Sequence, residues 1–348
     1  MVLCSLAGYV AARQLPGGAG PSGPGCEVVA SGGRGEAARY AFTPEQAVNA
    51  ATITAVGTAR DLPERAVTIA LATALQESSL RNIRYGDRDS LGLFQQRPSQ
   101  GWGTPEEIMD PAYAAGQFYD HLVKVPDYTE MPLTVAAQEV QRSGFPDAYA
   151  KHEPDAALMA AALTGRSAAT LTCSGRPAPD AQAGPEAVRA ALTRDFGTDV
   201  LDTAAAETTA DRAGAETLAG ADDRAGERAG ERADDRAGER AGERADDRAG
   251  ERAGERAGER ASASAKSPSP VAERTVTVPV AEPEERRQGW QFAHWAVANA
   301  SSLGIEKVTY AGREWTSGRV GWHRPLDEGA QGAPGAPGAG QVRIVTSR

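Results

Sequence analysis

The chain has 348 residues, with 37 Lys and Arg against 47 Asp and Glu, a formal charge of −10 and a pI near 5.1. Such an acidic chain is a poor polyanion binder, which removes nucleic acid from its partners. Polytopic membrane insertion falls as well, because no stretch approaches the ~20 consecutive apolar residues of a spanning helix. The length allows two domains, yet 39 Gly and 22 Pro imply that part of the chain never folds.

The most apolar stretch comes first. Residues 1–12 read MVLCSLAGYVAA and lack the basic flank of a secretory signal. Two readings stay open: a short disordered start, or the tail of an anchor helix that begins upstream, followed by the Pro/Gly-rich spacer 16–25. The second gives a single membrane anchor with Cys4 in the lipid, although the residues before Cys4 form no lipoprotein cleavage site. The other two cysteines, Cys26 and Cys173, bracket a segment that looks folded. In an exported protein they are expected to pair, closing a loop of ~150 residues and adding ~4–5 kcal/mol in the chain-entropy model. Otherwise they are two unrelated buried thiols.

Residues 40–175 carry helix punctuation. Thr43-Pro44-Glu45-Gln46 is a capping box with Pro at the first helical position, and Asp61-Leu62-Pro63-Glu64 is expected to start a second helix in the same way. From Ala66 to Gln76 no charge appears and apolar residues face every direction, which predicts a helix in the middle of a core. Gly86, Asp87, Asp89 and Gly92 mark turns, and Leu91-Gly92-Leu93-Phe94 predicts a short strand or hairpin. Further helices are expected near residues 111–123, 134–142 and 154–163.

After Cys173 the composition changes. From residue 221 to 261 a tetrapeptide of Arg-Ala-Gly/Asp-Glu/Asp type repeats, with arginines at strict fours from Arg224 to Arg260. Leu218 is the only large apolar residue of the 211–261 stretch, which holds no aromatic. Such a segment buries too little surface to offset its ordering entropy, and glycine in most repeats weakens the rival reading of a single charged helix. Residues 262–283, rich in Ser, Pro and Val, extend the spacer. Order is expected to return at Gly289, where Trp290, Trp295, Trp315 and Trp322 crowd together. A helix over 292–303 stopped by Gly304, a strand over 307–310 and a last strand over 342–345 complete a small module.

Glu77 is the residue with chemical promise. It ends the uncharged helix, where the helix dipole and loss of water both disfavour its carboxylate, so its pKa is expected to rise toward ~6. A carboxyl group protonated near neutrality is what general-acid cleavage of a glycosidic bond requires.

Glu77-Ser78 at a helix end, then Gly92-Leu93-Phe94-Gln95-Gln96 on a hairpin, resembles the lytic transglycosylase and goose-type lysozyme superfamily. The stretch Pro111-Ala112-Tyr113-Ala114-Ala115-Gly116 resembles that superfamily's small-residue helix behind the cleft. The resemblance covers residues 40–165, under half of the chain. It implies Glu77 as the catalytic acid, with Ser78, Gly92, Leu93, Phe94, Gln95, Gln96 and Tyr113 along a cleft for peptidoglycan or another cell-envelope glycan. Many members carry Ala-Tyr-Asn, whose Tyr supports the catalytic Glu. The comparable helix here, residues 135–142, has no Tyr, which leaves Gln138 or Gln141 for that task. Asp87 and Asp89 are accessory candidates as a second carboxylate, or turn residues in which Asp bonds its own backbone. The stretch 86–96 also resembles bacterial envelope proteins sometimes labelled heavy metal transporter, a label that neither spans nor a His/Cys cluster supports.

The four histidines show no paired metal spacing, no CxxC exists, and neither a Walker loop nor a Gly-x-Ser-x-Gly elbow is present, so no metal and no cofactor is expected. The carboxy module resembles a C-terminal domain of cell-wall proteins distantly like D-alanyl-D-alanine carboxypeptidases. Its last strand, Gln341-Val342-Arg343-Ile344-Val345, lacks the zinc-binding His of those enzymes. The expected organisation is therefore α+β, predominantly α. It comprises a candidate anchor and spacer (1–25), a lysozyme-like domain (26–175), a disordered linker (176–284) and a small Trp-rich α/β module (285–348). The expected activity is glycan-strand cleavage in the cell envelope, and the alternative is a non-catalytic wall-binding or scaffold protein. Oligomeric state is not legible.

Overall fold

A computed structural model describes residues 25–30, 37–142, 146–175, 184–201, 270–280, 285–324 and 340–347. Residues 202–269, which hold the repeats, and residues 1–24, with the anchor reading, lie outside the described residues. The architecture is α+β and predominantly α, with two small antiparallel sheets.

The first sheet has the order β2-β1-β3, from β1 (Gly25–Val29), β2 (Arg39–Phe42) and β3 (Leu171–Ser174). Cys26 and Cys173 are register partners across β1 and β3 and form a disulfide. With a sequence separation of 147, that closure takes about 5 kcal/mol of entropy from the unfolded chain in the loop model.

Helix α1 (Pro44–Thr58) begins with the expected capping box: Gln46 N donates to Thr43 Oγ1, and Thr43 N donates to Gln46 Oε1. Helix α2 (Glu64–Ser78) is buried along nearly its whole uncharged stretch, as its sequence requires. Its start differs from expectation. Pro63 is the N-cap residue with no side-chain cap bond, Asp61 has a positive φ of 54° in the preceding turn, and Glu64 accepts from Arg166 and Thr164 instead of closing a box. Helices α3 (Pro105–Ile108), α4 (Pro111–Leu122), α5 (Leu133–Gln141) and α6 (Glu153–Leu163) follow, with a 3-10 strap, Pro146–His152, between the last two. Asp110 caps α4 by accepting from Ala112 N and Tyr113 N.

Two stretches assigned to the linker are structured instead. Helix α7 (Pro185–Phe196) buries Val188, Leu192 and Asp195, and α8 (Pro270–Glu273) leads into β4 (Thr275–Pro279), which buries Val276 and Val278. Both are short, and their apolar faces find partners only in distant parts of the chain, which composition averaged over the linker hides. The second sheet has the order β4-β7-β5-β6, with β5 (Ile305–Tyr310), β6 (Arg313–Thr316) and β7 (Gln341–Thr346). Ahead of it lie α9 (Glu285–Ala298) and α10 (Ala300–Leu303), the latter ended by left-handed Gly304 as expected.

Helix α9 packs against α1, α6 and β3, so the late elements share a core with the early ones. Several polar links cross that seam. His294 Nδ1 lies 2.7 Å from Ala162 O, Trp322 Nε1 donates to Leu171 O at 2.9 Å, and Trp295 Nε1 donates to Asp195 at 2.8 Å. Gly289 lets the helix approach the second sheet, because any Cβ there would collide with the Tyr310 ring. Trp290, Trp295 and Trp315 are buried in this shared core, and Trp322 packs at its edge.

Candidate functional site

The site begins with how α2 ends. Ser79 and Leu80 are both left-handed, at φ 55° and 58°, a conformation costly for a bulky residue such as Leu. Two side chains of α1 hold the turn there: Gln46 Nε2 donates to Ser79 O and Asn49 Nδ2 donates to Leu80 O, each at 2.8 Å. Glu77 is thereby fixed in the last helical turn, half-buried.

Its carboxylate meets Tyr149, whose hydroxyl donates to Glu77 Oε1 at 2.6 Å. Tyr149 comes from the middle of the strap and is fully buried. Gln141, the last residue of α5, also hydrogen-bonds the carboxyl, and its Nε2 donates to Phe94 O at 2.8 Å. Burial raises the Glu77 pKa, while the Tyr149 and Gln141 hydrogen bonds pull it back; burial prevails and the net direction is upward. The group thus favours its proton, yet two donors already await the carboxylate.

The hairpin over residues 91–96 is reduced to one bridge, Leu91 with Gln96. Gly92 is left-handed at φ 75°, and a Cβ there would strike Ile108 O, so glycine is required. Ser78 Oγ donates to Leu93 O at 2.8 Å, which ties the helix end to the hairpin and leaves Ser78 buried. Leu93 and Phe94 are core residues, with Phe94 stacked on Phe118 at 4.7 Å; their carbonyls, not their side chains, face the Ser78 and Gln141 contacts. Gln96 is buried and donates to Ala114 O, which locks the hairpin on α4. Gln95, at φ 49°, is half-buried and bonds Tyr85 O and Gly92 O.

The structure therefore joins Glu77, Ser78, Gln141 and the hairpin. Tyr113 lies in the first turn of α4 beside Gly103, and the Gln138 carbonyl accepts from the Arg142 N–H closing α5. Asp89 accepts from Arg97 Nε and Ser99 N, and these bonds hold its carboxyl well below the usual range. Asp87 is 91% exposed beside Arg88. Both are turn residues.

Tyr149 is the Glu77 partner that sequence reasoning missed. Tyr149 stands one segment after α5, where no Tyr was found, in the sequence Ala148-Tyr149. The 3-10 strap has no apolar periodicity to announce a buried face. His152 ends the same strap, with Nε2 3.1 Å from Gln76 Oε1, and burial and then Lys151 hold its pKa down at about 4.

A depression of about 390 Å³ lies on the outer side of the hairpin, lined by Arg84, Leu91, Pro105, Glu106 and Met109, and Glu77 is not part of its wall. Among the described residues no three His, Cys, Asp or Glu side chains gather as a metal site, and no helix is long and apolar enough to cross a membrane.

The family described as VldE, C-terminal domain, matches residues 272–333, a stretch that takes in β4, α9, α10, β5 and β6 and lies outside the Glu77 site. No curated protein matches the chain.

Proposed function

We propose that this protein cleaves the glycan strand of peptidoglycan, or of a related envelope glycan, with Glu77 as its single general acid and base. The observation that carries the reading is the Tyr149 hydroxyl 2.6 Å from a half-buried carboxyl whose pKa burial raises. Protonated Glu77 gives its proton to the bridging oxygen as the glycosidic bond breaks, and the neighbouring N-acetyl group of the substrate stabilises the cation-like carbon. The new carboxylate is received by Tyr149 and Gln141. It then takes a proton either from the 6-hydroxyl of the sugar, which attacks the same carbon and gives an anhydro end, or from water, which gives a reducing end. Asp89 is committed to Arg97 and Ser99, which favours the single-carboxyl route.

The Cys26–Cys173 disulfide supports an extracytoplasmic site of action, in the cell envelope. The resemblance to lytic transglycosylases supports the substrate. A second reading, a non-catalytic wall-binding or scaffold protein, is favoured by one observation: the depression of about 390 Å³ lies away from Glu77. Digestion of purified glycan strands with the full chain and with Glu77→Gln separates them. Anhydro or reducing ends from the wild type alone support the enzyme, and equal inactivity with retained glycan binding supports the binder.

A further inference from the structure

Residues 146–152 form a 3-10 run of seven residues, longer than the three or four that this geometry usually sustains, so outside contacts must hold it. Two of its side chains reach consecutive residues at the end of α2. Tyr149 donates to Glu77, and His152 Nε2 meets Gln76 Oε1 at 3.1 Å. A ring held near pKa 4 is neutral under ordinary conditions, and a carboxamide oxygen only accepts, so Nε2 carries the proton and donates. His152 is also the N-cap residue of α6, which packs along α2. The strap is thus seated at its middle and at its end on one helical turn.

From this geometry we infer that His152 is a positioning residue for Glu77: its bond to Gln76 seats the strap, and the strap sets the Tyr149 hydroxyl on the carboxyl. The inference rests on the glycan-cleavage reading for its consequence in catalysis, but its structural content is independent of it. The titratable groups on the elements packed against the strap are Glu139 on α5, Glu64, Arg65 and Glu77 on α2, and Glu153 and Asp155 on α6; Asp147 and Lys151 belong to the strap itself. Of these, Lys151 is the charge that acts on His152, second to burial. Loss of the His152 bond loosens Tyr149, removes a donor from the ionised form of Glu77, and moves the Glu77 titration upward.

The test is carbon NMR of the full chain labelled at glutamate side chains, with the Glu77 signal assigned by its loss in Glu77→Gln. Tyr149→Phe moves the Glu77 midpoint upward, His152→Ala moves it the same way by less, and His152→Gln, which restores a donor of similar reach, returns it toward the wild-type value. Gln76→Ala removes the acceptor from the other side and repeats the His152→Ala shift, which keeps the test open if His152→Ala does not fold. On glycan strands His152→Ala lowers kcat about threefold to tenfold and leaves KM in place, and His152→Gln recovers it. A Glu77 midpoint unmoved by folded His152→Ala or Gln76→Ala, while Tyr149→Phe moves it, overturns the inference. Wild-type protein that cleaves no glycan overturns the catalytic reading instead, and leaves the NMR result standing on its own.

Discussion

Two acidic side chains taken out of water show what environment does to one functional group. Asp195 on α7 is 2% exposed and receives three donors: Thr52 from α1, Trp295 from α9 and the Arg194 guanidinium. Glu77 receives two neutral donors, and no ion pair to it is seen among the described residues. With a guanidinium beside it, Asp195 ties α1 and α9 to its own helix α7. Without one, burial outweighs the two hydrogen bonds and the Glu77 pKa moves upward. Partner charge distinguishes the surroundings of the two carboxyls.

The largest expected effect belongs to Glu77. Glu77→Gln should lower glycan cleavage on the order of 10³-fold while the fold survives. It should also stabilise the protein. Burial holds the folded-state pKa of Glu77 above its unfolded value, so the wild type loses stability as pH rises through the folded-state pKa. In urea denaturation, the variant should gain over the wild type at neutral pH and lose that advantage in acid below the ordinary glutamate range. Asp195→Ala is the mirror image. It should cost about 3 kcal/mol, because the buried Trp295 N–H loses its acceptor, and leave turnover per folded molecule close to wild type.

Tyr149→Phe comes next, at about tenfold in kcat and about 1 kcal/mol in stability, with the alkaline limb of the pH–rate profile moved upward. A limb that moves downward would mean that the hydroxyl does not serve the carboxylate. The smallest effect is that of Thr52→Val, which removes one of the three Asp195 donors and should cost about 1 kcal/mol by thermal or urea unfolding, with the pH–rate profile unchanged.

What the sequence announced of these two groups was uneven. The Thr43 box and the chargeless run before Glu77 are local patterns, and the structure keeps both. The rise in the Glu77 pKa follows from the same run, because a helix end in a core loses water. The counterweight from Tyr149 was not legible, since it depends on a non-periodic strap meeting α2 from 72 residues away. Gln141 was legible only as one of two glutamines, and the bond to Phe94 O is what selects it. Leu93 and Phe94 were expected along a cleft, yet their side chains complete the core, because a four-residue turn closed by a single bridge has one dry side. Asp195 gave no signal at all. It sits in a short helix beyond Cys173 whose partner, Trp295, lies 100 residues further on.

That separation governs how the molecule is made. The Glu77 turn, the hairpin and the strap are all translated before residue 153, whereas α9 and the second sheet, which close the core behind α1 and α6, come after residue 270. Synthesis adds about 5–20 residues per second, so the stretch 202–269 alone holds the closing layer back by several seconds. Through that interval the nascent chain carries the Glu77 turn, hairpin and strap on an unfinished body, with the seats of Trp295 and His294 open to chaperones and proteases.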